Sequence, residues 1–174
     1  MLSIIIETRN NEAELAQSLS SLVSGAVEGL VRDVTVLDHG SQDGSSRVAD
    51  AAGCRFSTAW DLAEVIGSAR GEWLLFLEPG ARLTGRWIDD VAEYIAFNNA
   101  PARFSTARAY RKPLLKRFFS RPSVLENGFL VSRQQAVAAG KRGGTEEIAG
   151  ALSARRLSAE IIPAWVVAGA RERH

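Results

Sequence analysis

A chain of 174 residues suits one domain with a sizeable buried core. Its 46% hydrophobic and 24% charged residues are ordinary for a globular protein, and a formal net charge of +1 exerts no global pull on nucleic acid or acidic lipid. The single cysteine, Cys54, excludes an internal disulfide framework and a cysteine-based zinc site; it suits a reducing compartment and the role of a small buried hydrophobe.

The N-terminus, Met1 to Glu7, has no basic region and too short an apolar run for a signal peptide. No stretch approaches the ~20 apolar residues that span a bilayer, so a cytoplasmic location is expected. The β-branched run Ile4-Ile5-Ile6 predicts a first strand. Asn10 and Asn11 are candidate caps for a helix on which Leu15, Leu19, Leu22 and Val23 recur, with Gly25 and Gly29 expected to stop it. Residues 34–37 predict a second strand, which runs into the polar loop Asp38-His39-Gly40-Ser41-Gln42-Asp43-Gly44. A short helix over 45–52, a brief strand over 54–56 and a helix over 61–69 follow. Trp73-Leu74-Leu75-Phe76-Leu77 reads as a strand buried on both faces, stopped at Glu78-Pro79-Gly80. Such βαβαβαβ alternation predicts an α/β fold with a mostly parallel central sheet flanked by helices. Ligands gather where parallel strands end, which makes Glu78 a candidate site residue.

Beyond Gly80 the spacing predicts a helix with Trp87, Ile88, Val91 and Ile95 on one face, broken at Asn98 to Pro101. Residues 102–110 alternate as a strand would. Residues 108–121 then carry six positive charges (Arg108, Arg111, Lys112, Lys116, Arg117, Arg121) and no acid, with Leu114, Leu115, Phe118 and Phe119 interleaved. That run is either a solvated surface loop or a docking segment for an anionic membrane surface. No nucleic-acid partner is expected, because no RNA- or DNA-binding motif accompanies it. A strand over 128–131, a helix over 134–139, a turn over 140–144 and a helix from Thr145 to about Arg156 complete the reading. Ile161-Ile162 and Trp165-Val166-Val167 supply terminal strand material. With no repeat or linker, residues 1–174 read as a single domain.

Four separated pieces carry a family resemblance. Ser3-Ile4-Ile5-Ile6-Glu7-Thr8-Arg9-Asn10-Asn11-Glu12 resembles the opening strand and loop of family 2 glycosyltransferases. Leu37 to Ser45 resembles that family's second-strand signature, usually Val-Asp-Asp-Gly-Ser-x-Asp-Gly-Thr. Ala69 to Glu78 resembles the approach to its metal-binding Asp-x-Asp motif, and Thr145-Glu146-Glu147 its Thr-Glu-Asp helix. The resemblance implies a GT-A fold and transfer of a sugar from a nucleotide-sugar donor to a hydroxyl acceptor. A membrane-docking role for the basic run 108–121 would suit an envelope or lipid-linked glycan acceptor at the inner face of the membrane. The resemblance implies donor contacts at Thr8, Arg9, Asp38, His39 and Glu78, and Glu147 as the catalytic base. It also implies a divalent cation, Mg or Mn, bridging the diphosphate at Glu78, as suits a hard ion with oxygen ligands.

The departures fall on the donor side. Glu7 and Arg9 stand where the family has proline and tyrosine, His39 replaces the second aspartate, and Glu78-Pro79-Gly80 lacks one carboxylate of the metal motif. The alternative function is therefore a catalytically impaired GT-A scaffold acting as a binding or regulatory module. Residue by residue the alternatives are equally plain. Asp38 and Asp43 are turn formers or site residues, and Glu146 and Glu147 are first-turn helix acids or catalytic ones. Of the four tryptophans, only Trp87 lies close enough to Glu78 in sequence to be a candidate for stacking on a sugar.

Overall fold

The apolar runs become the centre of one eight-stranded sheet. In the computed structural model, which describes residues 1–111, 123–140 and 144–167, β1 (Leu2–Thr8) pairs in parallel with β2 (Val31–Asp38) and with β4 (Trp73–Leu77). Parallel pairing to β3 (Arg55–Ser57) completes one half of the sheet. The other half holds β5 (Arg82–Thr84), β6 (Ala102–Thr106), β7 (Phe129–Ser132) and β8 (Arg155–Ile162). Across the sheet the order is β3-β2-β1-β4-β7-β6-β8-β5. Antiparallel pairings occur at β4/β7, β6/β7 and β5/β8, while β6/β8 is parallel.

The two faces of the central strands explain why they carry no polar alternation. Ile4, Ile6, Leu75 and Leu77 pack beneath α1 (Glu12–Val27) and α4 (Trp87–Phe97), through Leu15, Leu19, Leu22, Trp87 and Val91. The alternate residues Ile5, Leu37, Leu74 and Phe76 face α3 (Leu62–Ser68), α5 (Arg133–Ala139) and α6 (Thr145–Ala151), through Leu62, Ile66, Ala136, Ile148 and Ala149. Every residue of β4 is buried, since both its faces are covered. The short helix α2 (Ser45–Ala51) adds Ala49 to the first face.

Several expected boundaries move. Gly25 does not stop α1, which runs on to Val27. A Cβ at Gly25 would stand 2.4 Å from Cη2 of Trp87, so glycine is there to admit the indole. Trp87 is correspondingly a core residue at 3% exposure, which removes it as a stacking candidate. β6 ends at Thr106, and residues Arg108–Tyr110 form a 3-10 turn. The helix expected to reach Arg156 ends at Ala151, and Arg155 opens β8. Trp165 to Val167 form a helical turn, not a strand. Most of the basic run, residues 112–121, lies outside the described residues; Arg111 contacts Glu160 at 3.5 Å. Among the described residues, no helix is long and apolar enough to cross a membrane. Burial pushes the Cys54 thiol up to about 11, which keeps it protonated and unreactive near neutrality.

Candidate functional site

Because β1, β2 and β4 are parallel, their C-terminal ends at Thr8, Asp38 and Leu77 open on the same edge of the sheet. Two loops are joined there. The Asn10 amide donates to Ser41 Oγ at 2.9 Å, and the Gln42 amide donates back to Asn10 Oδ1 at 2.7 Å. The Glu12 amide donates to Asp43 Oδ2 at 2.9 Å, and the Gly44 amide to Glu12 Oε2 at 3.0 Å. Asn10 takes φ 54, a conformation asparagine tolerates better than most residues, and Asn11 makes no side-chain cap to α1. A Cβ at Gly44 would lie 2.2 Å from Glu12 Oε1, so a side chain there would make the Glu12 carboxylate shift from its bond to the Gly44 amide.

Asp38 is buried, and its carboxylate accepts from the Gly40 amide at 3.0 Å, the Ser41 amide at 2.9 Å and the Ser41 hydroxyl. It therefore braces its own loop. Asp43 does the same work one turn later, and the Ser45 hydroxyl bonded to it holds its carboxyl below the usual range. Thr8 is also buried, and its hydroxyl has no hydrogen-bond partner among the described residues, whereas Arg9 is exposed.

The residues that depart from the family pattern find one another. His39 Nε2 lies 2.8 Å from Glu7 Oε2, and Glu7 Oε1 accepts from the Thr145 amide at 2.7 Å and hydroxyl at 2.8 Å. Burial acts to raise the Glu7 carboxyl. The hydrogen bonds from the Thr145 amide, the His39 ring and the Thr145 hydroxyl, with the charge of His39, outweigh burial and hold it low. Facing an ionised carboxylate, His39 Nε2 carries the hydrogen. The His39 ring meets Trp60 edge-on at 5.1 Å, and Trp60 Nε1–H donates to the Asp38 carbonyl at 3.2 Å.

A second group of acids lies beyond the end of β4. Burial raises the Glu78 carboxyl; a hydrogen bond from Ser123 opposes this, while the charges of Glu146 and Glu126 reinforce it. Ser123 Oγ also lies 3.4 Å from Glu146 Oε1, so its one hydroxyl hydrogen serves one of the two carboxylates at a time. Trp165 Nε1–H donates to Glu126 Oε1 at 2.9 Å. The structure thus brings Glu78 to Glu146, while Glu147 is the next exposed residue along α6. Glu126, Ser123, Trp60 and Trp165 were not anticipated from sequence. They lie in segments without a motif, and only the fold carries them to this edge. A separate cavity of ≈ 540 Å³ opens at the opposite end of β4, lined by Glu72, Trp73, Asn99 and Ser132 to Gln135, and holds none of these residues.

Carboxylate oxygens are the right donors for a hard divalent cation, and a raised Glu78 carboxyl beside two other acids would be relieved by one. Among the described residues, however, no three His, Cys, Asp or Glu side chains are arranged to hold a metal ion by themselves. Glu78 alone therefore fits a cation only where a ligand's phosphates and water would supply most of its oxygen donors.

The parallel unit β3-β2-β1-β4, extended by the mixed strands and carrying its polar groups at the strand ends, is the GT-A architecture of glycosyltransferases of known structure. Among these, glucosyl-3-phosphoglycerate synthase from Mycobacterium tuberculosis, solved with Mn2+, UDP and glucosyl-3-phosphoglycerate, superposes with a TM-score of 0.58 at 18% identity, over 90% of this chain and 70% of that one. The same enzyme with Mn2+, UDP and phosphoglyceric acid gives 0.56 at 18% identity, over 78% and 57%. TarS of S. aureus gives 0.64 at 14% identity, covering 91% of this chain but 34% of its own. At such identities the likeness is one of fold. The sequence itself matches no family model and no curated protein.

Proposed function

We propose that this chain is a glycosyltransferase-like protein that takes a nucleotide-sugar donor across the ends of β1, β2 and β4 and passes the sugar to a hydroxyl acceptor. The observation that carries the reading is the approach of Glu126 and Glu146 to Glu78 after β4, on the sheet edge where the loop braced by Asp38 and Asp43 also opens. The neighbouring structures that hold UDP and Mn2+ in this fold support it. In this reading Thr8, Arg9, Asp38 and His39 line the nucleoside side, with Asp38 acting through the loop it braces. Glu78 faces the diphosphate, where a bound Mg or Mn ion would neutralise charge on the departing nucleoside diphosphate. Glu147, in the first turn of α6, takes the proton from the acceptor hydroxyl as it attacks.

UDP with Mn2+ or Mg2+ is expected to raise the melting temperature, because a ligand at about 100 times its Kd adds about 2.7 kcal/mol to native stability. A shift with UDP and UDP-sugars supports the donor site. No shift with any uridine, guanosine or thymidine diphosphate sugar would favour the second reading, a non-catalytic scaffold. Two observations favour that alternative: Asp38 already spends its carboxylate on its own loop, and the described residues hold no three-ligand metal group. The basic run 108–121 is proposed to meet an anionic membrane surface bearing the acceptor. Failure to co-sediment with anionic vesicles at low salt would remove that part.

A further inference from the structure

We infer that Glu7 is a positioning residue that couples the loop after β2 to helix α6. One carboxylate is divided between two elements: Oε1 takes the Thr145 amide and hydroxyl, and Oε2 takes the His39 ring, across 138 and 32 residues of chain respectively. The contact is built into the local sequence. Gly144, at the position before α6, has no side chain with which to cap the helix, and Glu7 supplies the missing acceptor. A Cβ at Gly144 would stand 3.1 Å from Glu7 Oε1, a tight contact that the carboxylate would have to ease by a few tenths of an ångström.

Helix α6 is seven residues long, too short to hold its own conformation without tertiary anchors. Ile148 and Ala149 fix its depth in the core, and Arg103 Nη2 donates to the Ala149 carbonyl at 2.7 Å near its far end. The first turn, which carries Glu146 and Glu147, is oriented by Glu7. On the other side, His39 follows Asp38 directly and lies against Trp60. Any group that displaces His39 must release or drag the Glu7 carboxylate, and Thr145 with it. Such coupling is reciprocal: ordering α6 also holds His39. The catalytic consequence rests on the proposed function. There, Glu7 would present the α6 carboxylates to the reacting centre in step with the state of the nucleoside loop.

The test needs no ligand, so it is decided even if the proposed function fails. Amide hydrogen exchange over residues 144–151 is measured in the full chain, in Glu7→Ala, Glu7→Gln, His39→Ala and the double variants. Glu7→Ala should speed exchange at the start of α6 about tenfold or more, the scale of losing charge-assisted hydrogen bonds, with β1 and β4 amides still protected. Glu7→Gln keeps an acceptor for Thr145 and should restore most of that protection. His39→Ala should speed α6 exchange in the wild-type background and add nothing to Glu7→Ala. If Glu7→Ala unfolds, the same comparison is read from His39→Ala in the wild-type and Glu7→Gln backgrounds, where the effect should shrink. Unchanged α6 exchange in the Glu7 variants, or loss of protection in all core strands together, overturns the tether. A His39→Ala effect that is fully additive with the Glu7 variants overturns the coupling.

Discussion

Replacing Glu147 with glutamine is expected to lower sugar transfer by about 10²–10⁴-fold, the contribution of a general base, while UDP still binds. The substitution keeps size and hydrogen-bonding capacity and removes only proton affinity. Glu147 is exposed in the first turn of α6, so its replacement costs no core packing. The informative control is its neighbour. Adjacent residues on a helix point about 100° apart, so Glu146 and Glu147 cannot both face the same reacting atom. Ser123 and the charge of Glu78 engage Glu146. If Glu147 is the base, Glu146→Gln retains most of its turnover with the donor selected by thermal shift. The reverse result moves the base by one residue, to the side of α6 that faces Glu78. Wild-type turnover in both variants sinks the assignment of a base to α6.

The central strands were legible in the sequence because burial on both faces leaves continuous apolar runs that nothing else explains. Trp73 to Leu77 is the clearest case, where the expected and observed bounds coincide. Of β8 only the end, Ile161-Ile162, was read as strand, and its start was missed for a different reason. Leu157, Ala159 and Ile161 alternate inward, a period-two signal present in the residues, but the family-like helix at Thr145 drew the reading through to Arg156. β5 has only three residues and owes its form to pairing with β8. The site divided along the same line. Motif spacing singled out Asp38, His39, Glu78 and Thr145, which the fold sets at the ends of β2 and β4 and at the start of α6. It could not show that Glu7 and His39, each a departure from the family pattern when considered singly, form one cluster with Thr145. Nor could it show that Glu126 arrives beside Glu78, since a contact across the sheet's end leaves no local trace in either segment.

Changing Glu78 to glutamine is expected to move stability and binding in opposite directions. Burial, and then the charges of Glu146 and Glu126, hold the Glu78 carboxyl above its ordinary 4.5 despite the bond from Ser123. Between 4.5 and that raised value the native state keeps a proton the unfolded chain has lost, so stability falls as pH rises through the window. Above it, ionised Glu78 is a standing destabilising charge, which glutamine removes. Urea denaturation should therefore show Glu78→Gln more stable than wild type at pH 7, with the gain vanishing below 4.5, where both side chains are neutral. Calorimetric titration should show UDP with Mn2+ binding about tenfold or more weakly, the scale of one lost charge-assisted contact. A carboxylate kept in place for structure alone would show the opposite: lower stability on substitution and no change in affinity. Higher stability and weaker binding together would be the pattern of a group kept for a ligand at the end of β4.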